Sequence, residues 1–440
     1  MSTAQGSLSH VWPLHAELNA DGVLQLGGCD VRELAREFGT PAYIVCEDDL
    51  RTQARAFLDA FRHHAGDNFE VHFASKAFPA TPVMRVFAEE GLACDVASGG
   101  ELALALRAGF DPARIHLHGN AKSEHELREA LEAGIGDIIV DNLDELDRLE
   151  RLVPEGSTQR ILLRIAPGVS PETHPKISTG GPNTKFGFNP EDARVAIERA
   201  QASDRLDLDG LHMHIGSQIF DLEPFRPSLE VLVGLGRFRT LNLGGGLGVP
   251  YTSDQAALSI EDYVAAKVGL VRELAGEDVR IADEPGRALV ARSTVTLYTV
   301  QSVKRNVSTW VGVDGGMSDN LRPMLYDARY EAHVVGRPGG GTVCHLAGKH
   351  CESGDVIVHD ADLADPRVGD LIAVPVTGAY GHAMANNYNG QPRPPIVFVS
   401  GGDARLVVRR ETYEDLMARD VPEEEGRAAW AARRSGGAGA

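Results

Sequence analysis

Short apolar runs alternate with amphipathic stretches through the middle of the 440-residue chain. In the amphipathic stretches, such as Glu124–Ala133 and Leu143–Leu152, apolar residues recur every three or four positions, and this spacing predicts helices. The apolar runs predict strands at Val71–Ala74, Ala93–Ala97, Ile115–His118, Asp137–Val140, Ile161–Ile165, Leu208–His214, Thr240–Leu243 and Val279–Ala282. Alternation of this kind indicates parallel strands, and about eight such units predict a closed (β/α)8 barrel.

The pattern changes after about Ala288, where short β-rich runs separated by glycine and proline predict a second, antiparallel β domain. These runs are Ser293–Val303, Thr309–Val313, Tyr330–Val335, Asp355–Val358, Leu371–Val376, Ile396–Val399 and Leu406–Val408. Near the N-terminus, Leu24–Leu26 and Ala42–Val45 are also strand-like and are expected to add a strand to this β domain. We therefore expect an N-terminal segment over residues 1–45, a barrel over 46–288, a β domain over 289–415 and a flexible tail over 416–440.

Charge and cysteine content limit the kinds of partner and the cellular compartment that we expect for the chain. Lys and Arg number 43 against 63 Asp and Glu, and the formal net charge of −20 repels nucleic acid and anionic lipid. The five cysteines show no C-x-x-C spacing, so they indicate neither a metal site nor a disulfide framework and favour a reducing compartment. The first residues lack signal-peptide features, and no apolar run approaches the roughly 20 residues that span a bilayer. We expect a cytoplasmic protein.

Reactive side chains stand at the carboxyl ends of the predicted strands, which converge on one mouth of a barrel. Lys76 ends the first strand among apolar and small residues, and desolvation favours a neutral amine that can form a Schiff base with an aldehyde. The other strand-end groups are Ser98-Gly99-Gly100, His118, Arg164, His214, Gly244–Gly248, and Glu284 with Arg287. Each alone is explained by a turn, a core histidine or a surface ion pair, but their common position predicts one site.

The run Gly244–Gly248 suits an anion, because glycine lets backbone N–H groups approach closely and the following helix adds a favourable dipole. It lacks the GxGxxG spacing of a dinucleotide site, and phosphate sites after strands seven and eight are frequent in barrels. Ser217 and Gly286 are placed to add donors to the same phosphate. An aldehyde-reactive lysine beside a phosphate site points to pyridoxal 5'-phosphate.

Glu284 indicates the type of reaction. A carboxylate beside the pyridine nitrogen keeps that nitrogen protonated, so the ring can accept electron density from a carbanion. This favours loss of carbon dioxide, whereas an arginine at the same place would favour a simple racemase. His214 is expected to lie flat on one face of the ring.

Several motifs extend this interpretation along the chain. They are Ala74-Ser75-Lys76-Ala77, Asp95-Val96-Ala97-Ser98-Gly99-Gly100-Glu101-Leu102, Lys185-Phe186-Gly187, His212-Met213-His214-Ile215-Gly216-Ser217-Gln218, Asp314-Gly315-Gly316-Met317, Arg322-Pro323, Leu325-Tyr326, Cys351-Glu352-Ser353-Gly354-Asp355 and Gly378-Ala379-Tyr380-Gly381. From about residue 40 to about residue 415, the chain resembles diaminopimelate decarboxylases. These are fold-type III pyridoxal phosphate enzymes related to alanine racemase and eukaryotic ornithine decarboxylase. The segment beginning at Cys351 is the more selective signal, because ornithine decarboxylase-like relatives differ at the residue after the cysteine.

The resemblance implies an alanine racemase-like barrel. It also implies the reaction, which is the decarboxylation of meso-2,6-diaminopimelate to L-lysine and carbon dioxide in the last step of lysine biosynthesis. It implies that Lys76 holds the cofactor covalently, that His214 stacks on its ring and that Glu284 pairs with the pyridine nitrogen. The residues implied around the phosphate or the adjoining substrate pocket are Ser217, Gly245, Gly246, Gly286, Arg287 and Tyr380.

At the substrate, the resemblance implies that Arg287, Arg322 and Tyr326 hold the distal carboxylate and that Glu352 pairs with the distal ammonium. Cys351 would act as the proton donor. In this family Cys351 and Glu352 enter the active site of the other subunit, so a homodimer with shared active sites is implied. Asp355 is expected to shape the turn of its own segment.

Two alternatives stay open. The same chemistry could act on ornithine, arginine or a carboxylated polyamine, although Glu352 weighs against these substrates. A regulatory binding protein without turnover is the other alternative, and the intact set of Lys76, His214, Glu284 and Cys351 weighs against it. The loop Gly348-Lys349-His350 stands where the family usually has a Gly-Pro pair, so the resemblance leaves the fit of the substrate there open.

Overall fold

The computed structural model describes residues 8–169, 184–337 and 339–436. Four short strands come first in the described chain: β1 Ala16–Leu18, β2 Leu24–Leu26, β3 Cys29–Asp30 and β4 Ala42–Cys46. The first three form a small antiparallel sheet of their own in the order β1-β2-β3.

Eight parallel strands then close into a barrel. They are β5 Phe69–Ala74, β6 Ala93–Val96, β7 Ile115–Leu117, β8 Asp137–Val140, β9 Gln159–Arg164, β10 Leu206–His212, β11 Thr240–Asn242 and β12 Arg280–Asp283. The barrel is closed by pairing of β12 with β5, where Asp283 lies opposite Val71. All eight predicted strands are present, and the predicted barrel is confirmed.

Helices connect the strands and cover the barrel. Those described are α1 Val31–Phe38, α2 Glu47–Ala65, α3 Thr81–Glu89, α4 Gly99–Ala108, α5 Glu124–Ala133, α6 Leu143–Leu152, α7 Pro190–Ala202, α8 Phe225–Val233, α9 Ile260–Ala275, α10 Arg287–Val290, α11 Arg322–Tyr326, α12 Tyr413–Met417 and α13 Glu423–Gly436. Helix α5 shows why the predicted bounds hold: Ser123 and Glu126 form a capping box at its start, and Gly134 ends it in the left-handed conformation.

The starts of the barrel strands are connected by ion pairs whose carboxylates are buried and whose arginines are partly exposed. Glu70 accepts hydrogen bonds from Arg114 Nε at 2.8 Å and from Arg280 Nη2 at 2.7 Å. Asp137 accepts from Arg160 Nε at 2.6 Å and lies 2.8 Å from His116 Nε2. This end of the barrel is therefore closed by side chains, and the opposite end is left for the site.

A mixed sheet forms the second domain. Its strands from the C-terminal part are β13 Thr294–Arg305, β14 Thr309–Val313, β15 His333–Val334, β16 Thr342–Ala347, β17 Val356–Leu363, β18 Leu371–Val374, β19 Ile396–Ser400 and β20 Asp403–Val408. The main order is β17-β16-β14-β13-β4-β19-β20, so the predicted strand near Ala42 lies in the middle of this sheet. Most pairs are antiparallel as predicted, but β4 with β19 and β14 with β16 are parallel.

The exact domain boundaries and the flexibility of the tail stay predictions. Within the tail, the described residues include helix α13, Glu423–Gly436. Among the described residues, no helix is both long enough and apolar enough to cross a membrane.

Candidate active site

The carboxyl ends of the barrel strands surround a cleft of about 410 Å³, which we call the mouth cleft. Eight of the residues predicted from the sequence line it: Lys76, His214, Ser217, Gly246, Glu284, Gly286, Arg287 and Tyr380. They come from strands β5, β10, β11 and β12 and from the C-terminal domain. Part of the predicted strand-end set therefore shares this cleft, whereas Ser98-Gly99-Gly100, His118 and Arg164 are not among the described residues that line it.

Lys76 lies in a short 3-10 turn that directly follows β5. Its side chain keeps 47% of its surface exposed to the cleft, and its Nζ lies 3.8 Å from Oδ2 of the buried Asp95. Partial burial lowers the pKa of Lys76, but the Asp95 carboxylate, with Tyr380 and Glu284, outweighs this and raises it. The expected neutral amine is therefore not what this site favours, because Asp95 supplies a counter-ion.

Glu284 follows β12 and is 5% exposed. Asn242 Nδ2 donates to its Oε1 at 2.7 Å and His212 Nε2 donates to its Oε2 at 3.2 Å, while His118 Nε2 lies 2.9 Å from Oε1. Burial alone would raise the pKa of Glu284, but the imidazoles of His118 and His212 hold it well below its ordinary value. The lowered pKa therefore favours the ionised form of this carboxylate.

His214 lies between the lysine and the glycine run. Burial, the charge of Lys76 and the charge of Arg164 all lower the pKa of His214 well below its ordinary value, so its imidazole is neutral. Gly244 packs against this ring, since a methyl group added there would lie 2.8 Å from Nδ1. A flat, uncharged ring held in this way suits stacking on an aromatic molecule.

The glycine run brings two backbone segments into close contact. A side chain at Gly245 would collide with the carbonyl oxygen of Glu284, and one at Gly246 would lie 2.6 Å from the carbonyl oxygen of Gly216. Gly246 also has a φ of +117°, which favours glycine. Gly246 lines the mouth cleft, whereas Gly245 is not among the described residues that line it. Gly245 therefore acts through the shape of the turn.

Two buried guanidinium groups lie in or beside the mouth cleft: Arg287 lines it, and Arg322 lies outside it against Tyr251. Arg287 donates to Tyr251 Oη at 2.6 Å and to Ser217 Oγ at 3.0 Å, and its guanidinium lies 4.8 Å from the centre of the Tyr380 ring. Arg322 donates to Tyr330 Oη at 2.6 Å and stacks 4.1 Å above the Tyr251 ring. Within the part of the chain described, no carboxylate lies within 4.0 Å of either cation. Both are therefore available to an anion.

The remaining predicted residues lie outside the mouth cleft. Arg322 and Tyr326 belong to α11, and Arg322 connects to the cleft through Tyr251. Cys351 is exposed and Glu352 is half-buried, and neither lines the cleft of its own chain.

Asp355 holds the loop that carries Cys351 and Glu352. Its carboxylate accepts from the backbone N–H of Met317 at 2.7 Å and of His350 at 2.9 Å, and from His350 Nδ1 at 2.7 Å. Gly316 and Gly348 leave the space that this buried carboxylate fills. The expectation that Asp355 shapes the turn agrees with these contacts.

The sequence did not indicate five residues that support the site. Asp95, His212 and Asn242 stand on β6, β10 and β11 beside the charged groups, while Tyr251 and Tyr330 hold the two arginines. His212 and Asp95 fall within quoted motifs, yet no role was assigned to them. The positions of Asn242 and His212 at strand ends were the available signal.

The mouth cleft fits pyridoxal phosphate. Lys76 offers an amine for the aldehyde, and Glu284 offers a buried anion for a protonated pyridine nitrogen. Arg287, Ser217 and the backbone around Gly246 offer donors for a phosphate. Among the residues described, Arg287 Nε is buried and has no hydrogen-bond partner. Donors and charges thus match each polar end of that molecule.

Known proteins share the sequence and the fold. Residues 47–291 match the family described as the pyridoxal binding domain of pyridoxal-dependent decarboxylases. Diaminopimelate decarboxylase of Bacillus subtilis (strain 168) is 47% identical over 424 residues, which cover 92% of this chain and 96% of that protein. The crystal structure of diaminopimelate decarboxylase from M. jannaschii with L-lysine has a TM-score of 0.88 at 35% identity, covering 94% of this chain and 99% of that one. The Helicobacter pylori enzyme with L-lysine has a TM-score of 0.83 at 33% identity, covering 90% and 100%.

Proposed function

Because the chain belongs to the diaminopimelate decarboxylases, a family of pyridoxal phosphate-dependent carboxy-lyases, we propose that it converts meso-2,6-diaminopimelate to L-lysine and carbon dioxide in the last step of lysine biosynthesis. The observation that carries the proposal is the placement of Lys76 and the ionised Glu284 in one cleft. The two groups are distant in sequence and suit opposite ends of one cofactor.

Bound pyridoxal phosphate supplies an electron sink for the carbon that loses carbon dioxide. Lys76 would hold the cofactor, and the Asp95 carboxylate would balance the positive charge on the Lys76 nitrogen. Glu284 would keep the pyridine nitrogen protonated, and His214 would cover one face of the ring. Ser217, Gly246, Gly286, Arg287 and Tyr380 would surround the phosphate, with Gly245 shaping the turn behind them.

The guanidinium groups of Arg287 and Arg322, which have no carboxylate partner among the described residues, support an acidic substrate. Arg322, helped by Tyr326 and by Arg287 at the border of the phosphate site, would bind the distal carboxylate of diaminopimelate. Such binding orients the reacting end of the substrate. A substrate without this distal carboxylate would leave buried charges unpaired, which disfavours ornithine, arginine and a carboxylated polyamine.

A homodimer is part of the proposal. Cys351 and Glu352 are not among the described residues that line the cleft of their own chain, and the Asp355 contacts hold the shape of their loop. In a dimer, Glu352 would pair with the distal ammonium in the other subunit's cleft, and Cys351 would protonate the carbanion left after carbon dioxide has departed.

The cysteines described are all free thiols, which supports a reducing compartment and a cytoplasmic location.

A substrate panel tests the proposal. The purified protein is incubated with meso-diaminopimelate, ornithine, arginine and lysine, and carbon dioxide and amine products are measured. We expect lysine release from the meso compound to exceed every other product by about 100-fold or more, because the distal groups must be paired. A colourless protein without a borohydride-reducible cofactor, or one that prefers ornithine, would contradict it.

A further inference from the structure

Lys267, on α9, is a buried basic residue that the proposed reaction does not use. Its side chain is 0% exposed. Its Nζ donates to the carbonyl oxygen of Gly244 at 2.9 Å, to Tyr263 Oη at 2.8 Å and to the carboxylate of Asp283. These three acceptors match the three N–H donors of an ammonium group. The position of the Lys267 nitrogen is therefore defined by hydrogen bonds in three directions.

Two of these acceptors stand at the ends of neighbouring barrel strands. Gly244 begins the glycine run that follows β11, whereas Asp283 ends β12 and directly precedes Glu284. Gly246 of that run and Glu284 both line the mouth cleft, where we place the phosphate and the pyridine nitrogen of the cofactor. One side chain on α9 thus contacts both segments that are proposed to hold opposite ends of the cofactor.

The backbone ladder between the two strands stops just before these residues. Its last hydrogen bond runs from the Leu243 N–H to the carbonyl oxygen of Ala282 at 2.9 Å. Beyond it, no backbone hydrogen bond within the described residues joins residues 244–248 to residues 283–287. The contacts of Lys267 therefore continue the connection between the strands where the sheet no longer provides it.

Asn242 makes a second link between the same two segments. Its Oδ1 accepts from the backbone N–H of Gly244 at 3.0 Å, and its Nδ2 donates to Glu284 Oε1 at 2.7 Å. Asn242 thus bonds the N–H of Gly244, whereas Lys267 bonds the carbonyl oxygen. Because both backbone groups of Gly244 are bonded, the first residue of the turn is fixed.

The turn leaves backbone donors unused. In the part of the chain that the structure describes, the N–H groups of Gly245 and Gly246 donate to no acceptor. Donors that are already held in place bind an anion more tightly, because binding then costs less ordering. Fixing Gly244 therefore prepares the following N–H groups for a phosphate.

We propose that Lys267 is a positioning residue that holds the glycine turn at a fixed distance from Glu284 and so prepares the turn for the cofactor phosphate. The inference rests on the proposed function, because the phosphate is that of pyridoxal phosphate. Without the Lys267 nitrogen, the Gly244 carbonyl and the Asp283 carboxylate lose their common donor. The turn can then move relative to Glu284, and its donors no longer meet the phosphate when the ring lies at Glu284.

The test compares pyridoxal phosphate with pyridoxal, which has the same ring and aldehyde but no phosphate. The full-length protein is freed of cofactor with hydroxylamine, and the dissociation constant of each molecule is measured by visible absorption. The ratio of the two constants reports the contribution of the phosphate. Lys267→Met should lower this ratio by about 10-fold or more and change the affinity for pyridoxal by less than about threefold, because only hydrogen bonds to the charged phosphate are weakened.

Two further variants separate positioning from folding. Lys267→Met combined with Asp283→Asn removes both charges, so no buried carboxylate loses its cation and the protein should fold even if the single variant does not. The ratio should fall as in Lys267→Met, because the link to Gly244 is equally absent. Lys304→Met changes an exposed lysine on β13 and should leave the ratio unchanged.

Denaturant unfolding of each variant accompanies the titrations. A lysine that only stabilised the fold would lower the free energy of unfolding when replaced and leave the ratio at its wild-type value. A wild-type ratio in the folded double variant would therefore overturn the inference and leave the proposed function intact. A wild-type protein that binds neither pyridoxal phosphate nor pyridoxal would contradict the proposed function instead.

Discussion

Among single residues, Lys76 is the proposed point of covalent attachment for the cofactor. Lys76→Ala removes the amine and should lower the decarboxylation rate by about a thousandfold or more, as expected when a group that acts covalently is lost. After borohydride treatment, mass spectrometry should find the cofactor on wild type and not on this variant. Lys304→Ala is the matched control, because Lys304 is exposed on β13 and should leave both measurements unchanged.

Glu284 can be tested without changing the shape of the site. Glu284→Gln keeps a hydrogen-bonding side chain but removes the charge, so the pyridine nitrogen should lose its proton and the ring should withdraw electrons less strongly. Loss of one charge-assisted hydrogen bond costs about 1.5–3 kcal/mol, so we expect kcat to fall about 10- to 100-fold while the cofactor stays bound. Steady-state kinetics beside the absorption spectrum measure both effects, and an unchanged kcat would contradict the role.

The wild-type enzyme should also keep the charge on Glu284 over a wide pH range. The nearby imidazoles hold the pKa of Glu284 well below its ordinary value, so its charged form is lost only when pH falls below the usual carboxyl range. Any loss of kcat between neutral pH and that range must therefore come from other groups. The acid limb of the kcat profile should accordingly have the same midpoint in wild type and Glu284→Gln.

The sequence predicted which strand ends carry the site residues, but it did not predict the contacts between those residues. Lys76, His214 and Glu284 could be assigned to one cleft because parallel strands of a barrel present their carboxyl ends together. The pairing of Asp95 with Lys76, and of Tyr251 with Arg287, joins residues far apart in sequence through loops and facing strands. Neither periodicity nor local spacing contains this information, so the raised pKa of Lys76 could not be foreseen.

At the level of elements, the regular barrel units were the easiest to predict, since α5 and α6 have strong caps and clear apolar spacing. Strand β16 was overlooked although Cys344 and Leu346 alternate with more exposed residues, because its glycine-rich flank resembles a loop. The parallel pairing of β14 with β16 could not be predicted. It depends on where the chain returns to the sheet, which local patterns do not determine.

The glycine turn after β11 gives a prediction about close backbone packing. Gly245→Ala would push a methyl group into the carbonyl oxygen of Glu284, so it should lower the free energy of unfolding by about 2–3 kcal/mol and weaken cofactor binding. Gly269→Ala on α9 is the contrasting variant, because a methyl group added there has no described atom within 4 Å apart from its chain neighbours and the backbone of its own helix. It should stabilise the fold by about 0.5–1 kcal/mol. Denaturant unfolding and cofactor titration measure the two effects, and equal behaviour of both variants would contradict the packing argument.

For the whole molecule, the division of the site between subunits is the main expectation. The cleft of one chain holds Lys76 and Glu284, whereas Cys351 lies on the outside of the same chain. The buried Arg287 and Arg322 lack carboxylate partners in the described chain, as expected of a site finished by a substrate and a neighbouring subunit. From the sequence, this division of the site between two subunits could be predicted only by resemblance to related proteins.

Mixed dimers test this division directly. Lys76→Ala and Cys351→Ala should each be nearly inactive as homodimers, but a mixed dimer places both changes in one site and leaves the other site intact. Co-expression with random pairing should restore about a quarter of wild-type activity, because half of the dimers are mixed and each has one intact site of two. Mixing Lys76→Ala with Glu284→Gln should restore no intact site, since both residues belong to the cleft of one chain. Equal recovery in the two mixtures, or none in the first, would mean that each chain completes its own site.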